Sequence, residues 1–319
     1  MTTASELRRS LEAGGTHDLA ASLERNAAMN EDIALDLQRW LSGEESGDNS
    51  VRSDIAFHGR LHLNRYVLVG LNGDLDTEAL ALSTRCLSAE LRYCLRVHER
   101  FPRNLQMVSM ENMGLTLAQT ITTGWRDHAE LQARLSLEAY PGVLQDGVAF
   151  AEYPYFMLEL VKDWLGADVS LASEYRASES YKNSRPTGSA VWWDLLEVWR
   201  EPDAARFDEV LTRAAEHYVE QSRIVDREDV FFEFGDVAYW VFPVVLLSVL
   251  RLREWAGLRN PEPSHDLFQV SRLGQLPPVP PYPSHEIYDA VEAKYASVLP
   301  ELPPLLTLSN LPELRERQS

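Results

Sequence analysis

Four groups of side chains in this 319-residue chain have types and spacing that could do chemistry. His58 and His62 are four residues apart, the spacing that sets two imidazoles on one helical face as half of a zinc site. Gly59, Arg60 and Leu61 lie between them, so the glutamate of a zinc protease is missing, and no third ligand is close in sequence. Two ordinary surface histidines and no metal site are expected. Cys86 and Cys94 are eight apart in helical sequence, a rise of about 12 Å that no disulfide spans. His98 follows Cys94 by four and could serve it as a base, but buried, inert thiols are the commoner use of such cysteines.

The carboxylates offer more. Asp32-x-x-x-Asp36 and Asp226-x-x-Asp229 are the nearest matches to the aspartate-rich motifs with which helical isoprenoid synthases hold magnesium and diphosphate. The second, facing motif of that chemistry is absent, and Glu228 with Glu233 has nothing to single it out as an acid–base pair. Nucleophile elbows, phosphate-binding glycine loops and dinucleotide turns are absent as well. No catalytic set and no cofactor is expected, with a helical metal-dependent enzyme as the alternative class.

A docking surface fits these acids better. Residues 200–236 carry eleven acids against five arginines, and residues 138–179 carry eight acids against Lys162 and Arg176. Asp226, Glu228, Asp229, Glu233 and Asp236 flank Phe231 and Phe232 in one connection, which is expected to run over the surface. Glu152, Glu159 and Asp163 lie about a quarter turn from the apolar face of their own helix, so they are expected to be open to the same partner. Rings framed by carboxylates suit a basic protein, with rings as anchors and charges setting the on-rate.

Helices must position all of these residues. Apolar spacings of three and four, punctuated by Gly and Pro, predict helices over about 18–41, 51–69, 76–101, 109–122, 127–139, 152–165, 189–199 and 203–222, then an apolar helix ending near Trp255. Asp76 is expected to cap the third of these. A Pro-rich arm starts near Pro261 and leads to a helix capped by Ser284; it is expected to pack across its own domain rather than serve as a polyproline ligand. Alternating β-branched runs are lacking, so the fold expected is all-α: a multi-helix bundle of antiparallel helices with a Pro-rich C-terminal arm. Residues 1–75 read as N-terminal helices and 76–319 as the main domain, with one continuous domain as the other option. Trp192, Trp193, Trp199, Trp240 and Trp255 recur at helical intervals and are expected in one continuous core.

Composition narrows the partners. A net charge of −19 and a pI of about 4.8 disfavour nucleic acid and anionic membranes, and they favour encounter with a basic surface. The longest apolar run, 237–247, is short of the roughly 20 residues that cross a bilayer. The first residues have no apolar stretch of signal-peptide length, and a cytoplasmic location is expected. Self-association is left open.

The segment Gly235-Asp-Val-Ala-Tyr-Trp-Val-Phe-Pro-Val-Val-Leu-Leu-Ser-Val-Leu-Arg-Leu-Arg-Glu-Trp-Ala-Gly-Leu258, followed by the Pro-rich arm, resembles helical immunity proteins of bacterial polymorphic-toxin systems. It is similar to the immunity protein 49 family, with PoNi immunity proteins as a second likeness. The turn Thr123-Gly-Trp-Arg-Asp-His-Ala-Glu-Leu131 fits the same pattern. The resemblance spans about residues 76–283, rests on apolar motifs, and transfers no site residue. It implies a cytosolic inhibitor that binds a cognate toxin, often a nuclease, of the kind delivered by type VI secretion. A helical scaffold or regulator is the remaining binding alternative.

Overall fold

The computed structural model describes residues 4–10, 16–44, 48–100, 109–139, 151–168, 190–222 and 232–298. The helices in chain order are α1 (Ala4–Ser10), α2 (Thr16–Ser42), α3 (Asp48–Leu71), α4 (Thr77–Arg100), α5 (Met110–Thr123) and α6 (Arg126–Ala139). They continue as α7 (Tyr153–Leu165), α8 (Ala190–Val198), α9 (Ala204–Gln221), α10 (Val244–Trp255) and α11 (Glu286–Val298), with short 3-10 turns at Val237–Tyr239, Asp266–Phe268 and Arg272–Gly274. No strand occurs among the described residues, so the protein is an all-α bundle. No helix among them is long and apolar enough to cross a membrane.

Local signals account for the boundaries. The Asp76 carboxylate accepts from the Ala79 backbone N–H at 3.0 Å, which satisfies a first-turn donor of α4. Asp203 caps α9 in the same way, accepting from Ala205 at 3.0 Å. Gly124 closes α5 at φ +95°, a left-handed conformation that favours glycine. A Cβ there would also lie 2.6 Å from Val279, so the same glycine admits the arm. At α11 the expected cap shifts. Ser284 donates to Asp289 at 2.8 Å, and the helix begins two residues later, at Glu286.

Two apolar clusters form the interior. The larger runs from Leu63, Tyr66 and Val67 of α3 through Leu117 and Ile121 of α5, Phe156 and Leu160 of α7, and Leu211 of α9 to Val244, Leu247, Leu250 and Leu252 of α10. Helix α3 therefore shares a core with α4, with no break in packing at residue 75. A smaller cluster joins Leu37 and Trp40 of α2 and Ile55 of α3 to Cys86 of α4 and Tyr288 and Val291 of α11. One continuous core was expected; the satellite exists because the arm carries α11 back to the N-terminal helices. Trp192, Trp199 and Trp240 are buried as expected, whereas Trp193 and Trp255 are only half-buried.

The arm packs on its own domain through its carbonyls. The Trp125 indole donates to Pro280 at 2.9 Å, Arg251 to Pro277 at 2.6 Å, and Arg85 to Pro283 at 2.8 Å. Proline cannot donate, so these oxygens are the polar handles that the arm has to offer.

Candidate functional site

The acids expected on the docking face divide into three groups. Asp226, Glu228, Asp229 and Phe231 lie outside the described residues. Glu152 and Glu233 are buried, 2% and 6% exposed, and this corrects the expectation that a partner could reach them. Glu159, Asp163 and Asp236 remain at or near the surface.

Glu233 is a hub rather than a docking group. Its carboxylate accepts from the Trp192 indole of α8 at 3.2 Å, sits 3.1 Å from His217 Nε2 of α9, and accepts from the Tyr153 backbone N–H of α7 at 3.3 Å. Phe234 beside it stacks on Tyr153 and Tyr218, with centroids 5.0 and 3.9 Å away. A carboxylate taken from water must find donors, and three helices supply them. Glu152 stands at the N-cap of α7, and its side chain makes no cap hydrogen bond there.

The surface group gathers at the edge of α7 and α8. Asp163 accepts from the Trp199 indole at 2.8 Å and from Arg200 Nε at 2.8 Å, and its carbonyl accepts from Arg200 Nη2 at 2.9 Å. The Arg200 guanidinium lies 4.1 Å from the Trp199 ring centroid. Glu159 pairs with Lys162 at 3.4 Å one turn earlier. Together with Glu197, Leu196, Ala167 and Gly166, these residues line an open groove of mixed charged and apolar character. Asp236 stands apart, exposed, and caps the 3-10 turn by accepting from Ala238 at 3.0 Å.

The expectations missed Glu197, Trp199 and Arg200 as members of this edge. Trp199-Arg200 follows the end of α8, so its partnership with Asp163, 36 residues away for the indole, leaves no local trace.

The reactive pairs look different in three dimensions. His58 and His62 are half-buried rather than surface residues, and desolvation lowers both to about pKa 4. His58 Nδ1 is 2.6 Å from the Tyr288 hydroxyl. Among the described residues no group of three or more His, Cys, Asp or Glu side chains is arranged to hold a metal ion. Cys86 and Cys94 are free and buried, and burial pushes their thiols up to about 12 and about 11. Such thiols are poor nucleophiles at neutral pH. Asp36 forms a surface pair with Arg39 at 3.3 Å, within its own helix.

Compared with protein-family models, with curated proteins and with solved structures, the chain has no significant match.

Proposed function

We propose that this chain is an immunity-type binding protein, which neutralises a cognate bacterial toxin by direct contact and docks it on the α7–α8 edge. The observation that carries the reading is the groove itself: Glu159, Asp163 and Glu197 line it beside Leu196, Ala167 and Trp199, on a chain of net charge −19. Lys162 and Arg200 pair two of the acids and leave Glu197 as the excess negative charge. A basic protein is the complementary partner, drawn in by the long-range field and held at a rim of fixed charges. Arg200, over the Trp199 ring, adds an arginine of the kind enriched at interface centres. The likeness to helical immunity proteins supports the same class. Asp236 and the acids at 226, 228 and 229 extend the acidic character of the chain in sequence.

The test first asks whether a secreted-toxin gene lies beside this one, and then uses its product; a biosynthetic operon there would favour an enzyme instead. Asp163→Lys with Glu197→Lys should slow association at least tenfold, more at low salt than at high, because exposed charges are screened over about 10 Å at 0.1 M. Protection of toxin-exposed cells should fall with it. Unchanged affinity and unchanged protection, with helix content intact by circular dichroism, would reject the docking edge.

A further inference from the structure

A second region carries polar chemistry that neither the fold nor the docking edge uses. Arg85 and Arg92 lie seven residues apart on α4 and are 1% and 2% exposed. Arg85 is engaged: it pairs with Asp289 at 2.6 Å and Glu292 at 3.3 Å, and donates to Pro283. Arg92 forms no ion pair among the described residues, and its Nε has no hydrogen-bond partner. A guanidinium stays charged in proteins, so this is a buried cation left without an anion.

The groups around it are also short of partners, although the Tyr282 hydroxyl faces Arg92 itself. Arg92 acts electrostatically on both His128 and Tyr282, which places it beside them. The His128 and Tyr282 rings stack with centroids 4.7 Å apart, and Trp125 closes over Tyr282 at 5.0 Å. Gln132 and Ser136 follow His128 by one and two turns on α6 and are 1% and 0% exposed. His128 Nε2, both ends of the Gln132 amide and Ser136 Oγ are all buried without a hydrogen-bond partner, and the Tyr282 hydroxyl has no neighbour but the Arg92 guanidinium to engage it. Native interiors satisfy nearly all such atoms, so a row of them along α6, on a helix packed against the one that carries an unpaired cation, marks a place built for something else.

We propose that Arg92, with Gln132, Ser136 and Tyr282, binds a small oxyanion, the carboxylate or phosphate group of a ligand, between α4, α6 and the proline arm. The donors match that chemistry. A guanidinium offers paired N–H groups to two oxygens, and an amide and two hydroxyls can complete the shell. Burial and Glu292 keep Tyr282 in its phenol form, a donor, although Arg92 and Arg85 pull the other way. Desolvation, aided by Arg92 and Arg85, lowers His128 to about pKa 4, so it enters neutral and adds one donor or acceptor rather than a second charge. Asp289 and Glu292 are held by Arg85, which leaves Arg92 as the cation available to a ligand.

The experiment follows the thermal midpoint of the full chain against inorganic phosphate and acetate, with sodium chloride at matched ionic strength as reference. A saturable rise with one oxyanion or both, absent with chloride, is the expected result; phosphate alone or acetate alone names the group that fits. Arg92→Met should abolish the rise. Gln132→Leu should weaken apparent affinity about tenfold, as expected for one lost hydrogen bond to a charged group, and serves if the first variant does not fold. No rise above chloride in the wild-type chain overturns the proposal, and so does a rise of equal size and midpoint in the folded variants.

Discussion

Arg253 and Arg92 are both buried arginines on helices, 0% and 2% exposed, and their surroundings are opposite. Arg253 donates to Trp199 and Glu201 carbonyls at 2.6 and 2.9 Å, to the Arg259 carbonyl at 3.0 Å and to Asn260 at 3.2 Å. Its guanidinium also lies 3.9 Å from the centroid of Phe207. Arg92 has no ion pair and no carbonyl partner among the described residues; only the Tyr282 hydroxyl faces it, and polar atoms of neighbouring α6 are unpartnered. The first region shows how the fold uses a buried charge to fix loops against a helix. The second shows a buried charge that the described fold leaves unused. Glu233 belongs with the first, Gln132 and Ser136 with the second.

If the Glu233 hub is structural in the way that Arg253 is, removing it should have the largest effect. Glu233→Leu strands the Trp192 indole, the Tyr153 N–H and the His217 imidazole in a closed interior. We expect a loss of about 3 kcal/mol or more, by urea unfolding. A loss under about 1 kcal/mol would move Glu233 out of the satisfied class and break the contrast.

Acid should weaken the protein next. His58, His62 and His128 are each held near pKa 4 in the fold against 6.5 unfolded. The unfolded chain takes up protons between these values while the folded chain does not. The stability that neutral imidazoles allow is therefore present above pH 6.5 and lost as pH falls towards 4. The thermal midpoint should drop across that window, and His128→Phe should flatten the drop. In Arg92→Met the His128 titration, followed by NMR, should move upward, since a neighbouring cation has been removed. An unmoved titration would separate the two residues and dissolve the second region.

The docking edge should matter least to stability. Asp163 and Arg200 are half-exposed, and an exposed pair contributes about 0–1 kcal/mol. Arg200→Ala should leave the urea midpoint nearly unchanged, whatever it does to a partner. A loss of several kcal/mol would make the edge part of the scaffold instead.

These regions differed in how well the sequence announced them. Helix positions were legible because Gly, Pro and capping residues such as Asp76 act within a few residues. Burial of Trp192 and Trp199 was legible from apolar spacing, but Trp193 directly follows Trp192 and turns about 100° away, so the pair could not share one environment. Glu233 was misjudged because a run of acids between two helices reads as solvated; its donors come from 41 and 16 residues away along the chain for Trp192 and His217. Arg92 carried no warning at all. Helix α4 is buried on nearly every side from Ala79 to Ala89, so polarity at a position told nothing of its exposure.

The most direct test sets Arg92→Met beside Arg253→Met in urea, in a buffer free of phosphate and carboxylates. Removing a buried charge that has partners should destabilise by about 3–5 kcal/mol, whereas replacing one that has none by an apolar chain should be neutral or stabilising by about 1 kcal/mol or more. The account predicts that difference in sign. Equal losses in both variants would show that Arg92 is held by the fold as firmly as Arg253, and would contradict it.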